Sequence, residues 1–131
     1  MAGHYEARVS ERGDGRYVNA VAMRHHTLVS DEPERLGGDD LGPNPFDLLC
    51  ASLGACKSIT MRMYAERKGW SVDHLEVTVT HHRERGVDSF ICQLSIDGDL
   101  ANEERDELIE VSRRCPVQKV LSQATVVETV A

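Results

Sequence analysis

The sequence lacks any apolar run close to the length of about 20 residues that is needed to span a bilayer. Its first residues, from Met1 to Glu6, also lack the apolar centre of a secretion signal. We therefore expect a cytoplasmic protein with no membrane partner.

An excess of positive charge is also missing, because 15 lysines and arginines face 22 aspartates and glutamates, which gives a net charge of -7. Nonspecific nucleic-acid binding needs a basic face that displaces the counterions of the phosphates. The charge balance therefore predicts that nucleic acid is not a partner, and it leaves the substrate undefined.

Metal-binding spacings are absent from the sequence as well. The four cysteines include no Cys-x-x-Cys pair, and the histidines of His25-His26 and His81-His82 are adjacent rather than helically spaced. We expect neither a metal nor another cofactor. In a cytoplasmic chain four cysteines are not expected to form a permanent disulfide framework, so redox chemistry or packing remains.

The 131 residues contain no internal repeat or low-complexity tract, and we expect one domain over residues 1–131. The order of elements predicts an α+β fold, with mainly antiparallel sheets around a long, buried central helix and a polar loop over 31–43. The predicted strands cover 4–10, 16–22, 25–29, 72–84, 89–97 and 125–130. The predicted helices cover 45–68, 102–114 and a short segment that starts at Pro116.

The long helix has the clearest boundaries. Asn44 suits the N-cap, Pro45 suits the first helical position, and Asp47 adds a negative charge to the first turn. Gly69 suits the end of the helix. Between these limits apolar residues occur on nearly every side, which predicts a helix buried inside the fold.

Cys115 follows Arg113-Arg114 and precedes Pro116, so it is predicted to cap a short helix. Free backbone N–H groups and nearby cations stabilise a thiolate, which is the nucleophilic form of cysteine. Burial as a small apolar residue is the alternative, and we give the two equal weight.

Cys56 lies in the middle of the long helix, where small neighbours, Gly54, Ala55 and Ser58, allow a ligand or another segment to come close. Packing is the stronger interpretation of Cys56 alone, because Lys57 points about 100° away around the helix axis. Cys50 and Cys92 are assigned to packing. One reactive thiol and a second that resolves it would suffice for a thiol-dependent peroxidase.

Two segments carry a family resemblance, and the order of elements matches that family over essentially the whole chain. The first runs from Gly42 to Cys56, GPNPFDLLCASLGAC, and continues as MRMYAERKGW from Met61; the second is Arg114-Cys115-Pro116-Val117. Together they resemble the OsmC/Ohr family of osmotically inducible and organic-hydroperoxide-resistance proteins, in its OsmC-like (YhfA-type) branch.

The resemblance implies an intertwined homodimer with two active sites at the subunit interface. Cys56 would be the peroxidatic cysteine that attacks an organic hydroperoxide, and Cys115 would resolve the product as a disulfide. A dithiol such as a lipoylated protein would then reduce this disulfide, in a role of defence against oxidative stress.

The resemblance also implies an arginine and a glutamate that assist the thiolate. Phe46 stands at the glutamate's position, and Asp47, one residue later, is first of all a helix cap. The candidates for thiolate activation are Arg12, Arg16, Arg35, His26 and Asp47.

An apolar pocket for the tail of the substrate is expected, although its candidate walls are core residues by default. These walls are Phe46, Leu49, Leu53 and Met63. Two alternatives to the peroxidase stay open: a relative without peroxidase chemistry that binds a small apolar or thiol-reactive ligand, and an interaction module whose dimer is the functional unit.

Overall fold

The computed structural model describes residues 4–131, which divide into two compact units, one ending at Leu49 and the other comprising Cys50–Ala131. The first unit contains a three-stranded antiparallel sheet in the order β1-β2-β3. Its strands are β1 (Arg8–Glu11), β2 (Asn19–Met23) and β3 (His26–Ser30). The predicted hairpin and third strand are therefore present, with shifted ends, and the single domain over 1–131 stays a prediction.

The loop after β3 is ordered around one buried carboxylate. Asp31 accepts backbone N–H groups from Glu32 (2.8 Å), Asp39 (3.2 Å) and Leu41 (3.2 Å). Gly38 allows the tight path, since a Cβ atom there would lie 2.0 Å from the carbonyl oxygen of Glu32. The glycines of this loop thus serve close backbone packing, in addition to breaking regular structure.

Helix α1 covers Pro45–Lys68 and begins as predicted. The backbone N–H of Asp47 donates to Asn44 Oδ1 (2.8 Å), and the N–H of Asn44 donates to Asp47 Oδ2 (2.9 Å), which forms a reciprocal cap. Gly69 follows the helix with a φ of 72°, as expected for a C-terminal glycine.

Within one chain α1 is buried along a single face and not on nearly every side. Its buried residues follow a spacing close to one turn: Leu53, Gly54, Lys57, Met61 and Ala65. Two apolar residues on another face are more than half exposed, Ile59 at 54% and Met63 at 60%. A second surface is needed to cover that face.

The second unit is built on a long antiparallel hairpin, β4 (Ser71–Glu84) paired with β5 (Val87–Asp99). Positive φ angles at Arg85 (53°) and Gly86 (76°) suit a two-residue turn that matches the twist of the strands. Two helices follow, α2 (Asn102–Ser112) and α3 (Pro116–Leu121). The core of this unit contains Met61, Ala65, Val72 and Leu108.

The structure corrects two predictions near the C-terminus. Helix α2 ends at Ser112 rather than at residue 114, and Cys115, which precedes Pro116, has an extended backbone. The strand predicted over 125–130 is wrong, because these residues form no strand in this chain. Val126, Val127 and Val130 are exposed there, so no sheet edge or core within residues 4–131 covers them.

No helix within residues 4–131 has the length and apolarity required to cross a membrane.

Candidate active site

Cys115 occupies the N-cap of α3, as the sequence predicted. Its backbone is extended, with φ -66° and ψ 144°, and its Sγ accepts the backbone N–H of Gln118 at 3.4 Å. The side chain is fully buried. The local pattern Cys-Pro therefore fixes the orientation of this thiol through one hydrogen bond at the start of the helix.

Cys56 approaches Cys115 from the partly buried side of α1. The two thiols lie close enough for Cys56 to influence the pKa of Cys115, although 59 positions separate them in the sequence. All four cysteines are free thiols in the structure. Since both residues belong to the second unit, the packing of α1 against the segment between α2 and α3 brings the two thiols together.

Burial raises the pKa of the Cys115 thiol above its ordinary value of 9.0, and the neighbouring Cys56 adds to the rise. The N–H of Gln118 and the charge of Lys57 act in the opposite direction. Of the two interpretations that were given equal weight, burial has the larger effect on this pKa, because desolvation of the charged form outweighs the helix start.

The two arginines before Cys115 do not supply the expected positive charge. Arg113 forms an exposed ion pair with Glu110, one turn earlier on α2, and Arg114 is exposed. Neither contributes to the shift in the pKa of Cys115. Water screens exposed charges, so closeness along the chain has little effect here.

Lys57 is the functional candidate that sequence reasoning missed. Its side chain is only 3% exposed, and its Nζ donates to the carbonyl oxygen of Ser112 at 2.9 Å and to Oε1 of Gln118. A signal was present, because Lys57 lies four residues after Leu53 and four before Met61, in line with the buried face of α1.

Gln118 links the parts of this site. Its backbone N–H binds Cys115, its side chain binds Lys57, and it borders a cavity of about 330 Å³. The cavity is also lined by Leu53, one of the predicted substrate-pocket walls, and by Cys92. This cavity thus has both apolar and polar lining residues, and it lies beside the residues that position the two thiols.

Asp88 also borders that cavity, from the start of β5. Hydrogen bonds from Arg83 and His81 lower the pKa of Asp88 to about 2. The carboxylate is therefore charged at neutral pH, and its bonds to Arg83 and His81 fix its orientation.

The other predicted pocket walls lie elsewhere. Met63 borders a separate cavity of about 380 Å³, together with residues of α1 and β4 that include Arg62 and His74. Phe46 and Leu49 belong to the first unit and are partly exposed, at 43% and 38%.

The candidates for thiolate activation all belong to the first unit, whereas the two cysteines belong to the second. Arg12 pairs with Asp14, with 2.5 Å between Nη2 and Oδ2, and this bond lowers the pKa of Asp14. Arg16 lies over the ring of Tyr17, with 5.0 Å to the ring centroid. Arg35 lies in a 3-10 helix over Glu34–Leu36.

The remaining two candidates have local partners. The rings of His26 and His25 lie 4.0 Å apart between centroids. Asp47 takes part in the cap of α1. Within residues 4–131, no three His, Cys, Asp or Glu side chains are grouped in a way that would hold a metal ion.

Comparison with known proteins gives a consistent result. Residues 37–130 match the protein-family model described as OsmC-like protein. An OsmC like protein from Mycoplasma pneumoniae aligns with a TM-score of 0.78 at 22% identity, covering 93% of this chain and 89% of that one. No curated protein matches the chain significantly.

Two further solved structures share the fold. An organic hydroperoxide resistance protein OsmC from Legionella pneumophila aligns with a TM-score of 0.68 at 20% identity, covering 92% of this chain and 90% of that one. An organic hydroperoxide resistance protein from Elizabethkingia anophelis aligns with a TM-score of 0.70 at 21% identity, covering 92% and 89%.

Proposed function

The chain belongs to the OsmC-like protein family, and from this premise we propose that it is a thiol-dependent peroxidase that reduces organic hydroperoxides. Family membership and two structural neighbours named as organic hydroperoxide resistance proteins support a peroxide-related role. The observation that supports this proposal most is that Cys56 and Cys115, the two thiols that the reaction needs, are neighbours in the fold. Lys57, next to Cys56, bonds to Ser112 and Gln118 on either side of Cys115.

The proposed reaction has three steps. The Cys56 thiolate attacks the distal oxygen of the hydroperoxide; an S–O bond forms, the O–O bond breaks, and the alkoxide takes a proton to leave as an alcohol. The Cys115 thiolate then attacks the sulfur of the sulfenic acid, an S–S bond forms, and the hydroxide that leaves becomes water. A dithiol, for example on a lipoylated protein, finally reduces the disulfide and is oxidised to its own disulfide.

The division of roles follows from exposure. Cys56 is only partly buried, so a peroxide can reach it, whereas Cys115 is fully buried and can be reached only by a group already inside the site. A buried thiol close to the first one is suited to resolving a sulfenic acid before a second peroxide oxidises it further.

The candidates for assisting the thiolate differ in whether local partners already hold them. Arg12 is already paired with Asp14, and Asp47 is occupied by the cap of α1. Arg16 and Arg35 form no ion pair within the part of the chain that the structure describes. These two arginines stay candidates for assisting a thiolate, as does His26, whose ring is tilted by 39° against that of His25.

A homodimer is part of the proposal. The exposed apolar face of α1, with Ile59 and Met63, and the valines between Thr125 and Ala131 lack cover within the single chain. A second copy would bury both, as the family resemblance implies for an intertwined dimer. Light scattering should give a mass near twice 14.6 kDa, and a stable monomer would contradict this.

A second candidate function is ligand binding without peroxidase chemistry. Two observations favour it: Phe46 occupies the position where the resemblance places a glutamate, and the pKa of Cys115 is raised by burial. Under this alternative the thiols stay reduced in the presence of a hydroperoxide, while an apolar or thiol-reactive ligand raises the melting temperature.

The deciding experiment is the rate of thiol loss after reduced protein is mixed with an organic hydroperoxide or with hydrogen peroxide. We expect rapid loss that disappears in Cys56→Ser, and a Cys56–Cys115 disulfide in mass spectra that disappears in Cys115→Ser. Cys50→Ser is the matched control and should behave like the unaltered protein. Loss no faster than that of a free thiol would reject the peroxidase.

A further inference from the structure

Lys57 carries a buried charge that no acid of the described chain neutralises. Lysine is almost never fully buried unless it is paired, since desolvating an ammonium group is costly. Yet this side chain is 3% exposed, and within residues 4–131 no carboxylate lies at ion-pair distance from it. Such a group calls for a source of negative charge.

The two oxygens that Lys57 binds supply only part of that compensation. Ser112 is the last residue of α2, and its carbonyl carries the partial negative charge of a helix C-terminus. The other oxygen is the side-chain amide of Gln118, which is uncharged. An ammonium group has three N–H donors, so two neutral acceptors leave both a donor and a net charge uncompensated.

These same two partners flank Cys115. Ser112 precedes it at the end of α2, and Gln118 donates its backbone N–H to Sγ of Cys115. Through these two hydrogen bonds Lys57 connects α1, which carries Cys56, to the end of α2 and to the first turn of α3. Its charge also favours the ionised form of Cys115, against burial and the neighbouring Cys56.

We propose that Lys57 is a positioning residue of the thiol pair: it holds Cys115 against Cys56 and provides the positive charge that stabilises the Cys115 thiolate during disulfide formation. This inference rests on the proposed function. The thiolate attacks the sulfur of the Cys56 sulfenic acid, the S–O bond breaks, and the hydroxide is protonated to water. The negative charge that Lys57 lacks in the resting site is present during this step.

The groups that face Cys115 define what its titration depends on. Cys56 and Lys57 approach from α1, the N–H of Gln118 approaches from α3, and Arg113 and Arg114 are exposed. Lys57 is the one cation among these groups that is shielded from water. Removing the charge of Lys57 should therefore change the pKa of Cys115, because water does not screen this pair as it screens exposed charges.

The first test needs no peroxidase activity. Thiolate absorbance is titrated against pH in Cys56→Ser, and the same titration of Cys56→Ser with Cys115→Ser is subtracted, so that Cys115 alone is followed. Adding Lys57→Met should raise the pKa of Cys115 by about one unit, which leaves about tenfold less thiolate at neutral pH. Lys57→Arg should stay close to the parent protein.

The controls separate this role from a structural one. Lys119→Met removes an exposed lysine of α3 and should leave the titration unchanged. Lys57→Gln is a second neutral replacement. An unchanged pKa of Cys115 in a folded neutral variant would overturn the inference. Failure of both neutral variants to fold would also overturn it, because Lys57 would then be a structural residue.

The second test uses tert-butyl hydroperoxide, with sulfenic acid at Cys56 and the disulfide followed separately by quenched-flow mass spectrometry. We expect Lys57→Met to slow disulfide formation about tenfold at pH 7, with recovery as the pH rises. A slowdown that is the same at every pH would contradict the role of the charge. If Cys56 of the unaltered protein is not oxidised, the proposed function fails, and the titration still decides the role of Lys57.

Discussion

Lys57 and the Arg113-Arg114 pair carry the same kind of charge near Cys115, but they differ in their access to water. The arginines are adjacent to the cysteine in the sequence and exposed, whereas the lysine is 58 positions away and buried. The lysine alone among these three shifts the pKa of the thiol. The difference shows that burial, and not distance along the chain, decides which cation acts on a buried thiol.

Charge reversal should give the largest difference in stability between the buried position and the exposed one. Lys57→Glu would place a carboxylate against the carbonyl of Ser112, the amide oxygen of Gln118 and the thiols, so we expect a loss of about 3–5 kcal/mol in the free energy of unfolding. Arg114→Glu, at the exposed position, should change it by less than about 0.5 kcal/mol. Urea denaturation measures both, and equal effects would remove the distinction between the two kinds of cation.

Gln118→Ala should have an intermediate effect. It removes a hydrogen-bond acceptor of a buried ammonium group, and bonds to charged groups contribute about 1.5–3 kcal/mol. Lys119→Ala, at the next position of α3, is the exposed control and should cost much less. If Gln118→Ala proves as mild as Lys119→Ala in urea denaturation, then Lys57 does not depend on this partner.

The smallest expected effect is the change in folding stability with pH that Cys115 causes. Because burial raises the folded-state pKa of Cys115 above 9.0, the folded chain holds its proton more tightly than the unfolded chain. The thiol's contribution to stability is therefore complete below about pH 9 and is lost as the pH rises through the folded-state pKa. Between pH 7 and 10, the unaltered protein should lose stability relative to Cys115→Ala, and parallel curves would contradict the raised pKa.

Local patterns predicted the parts of the structure whose interactions are local. Asn44 and Asp47 predicted the start of α1, and the Cys115-Pro116 step predicted a cap, because each rests on hydrogen bonds within one turn. The alternating residues on either side of Gly86 predicted the β4-β5 hairpin for the same reason. Helix α1 ends one residue before Gly69, as predicted.

Predictions that depend on distant partners were less accurate. A strand was predicted over 125–130, but a strand needs a neighbour, and within residues 4–131 no strand pairs with this segment. The apolar pattern of α1 indicated burial on nearly every side, whereas one chain covers a single face. Each of these patterns is local, whereas strand pairing and burial depend on a partner surface that the pattern does not contain.

The sequence by itself determined the helix caps, the hairpin turn and the two cysteine motifs, because these depend on backbone preferences over a few residues. Tertiary structure decided the chemistry at the thiols. Packing brought Cys56 to Cys115, buried Lys57 beside them and left Arg113 and Arg114 in water. The reason is physical: desolvation and the strength of a charge depend on what surrounds a group in space, which a linear sequence does not specify.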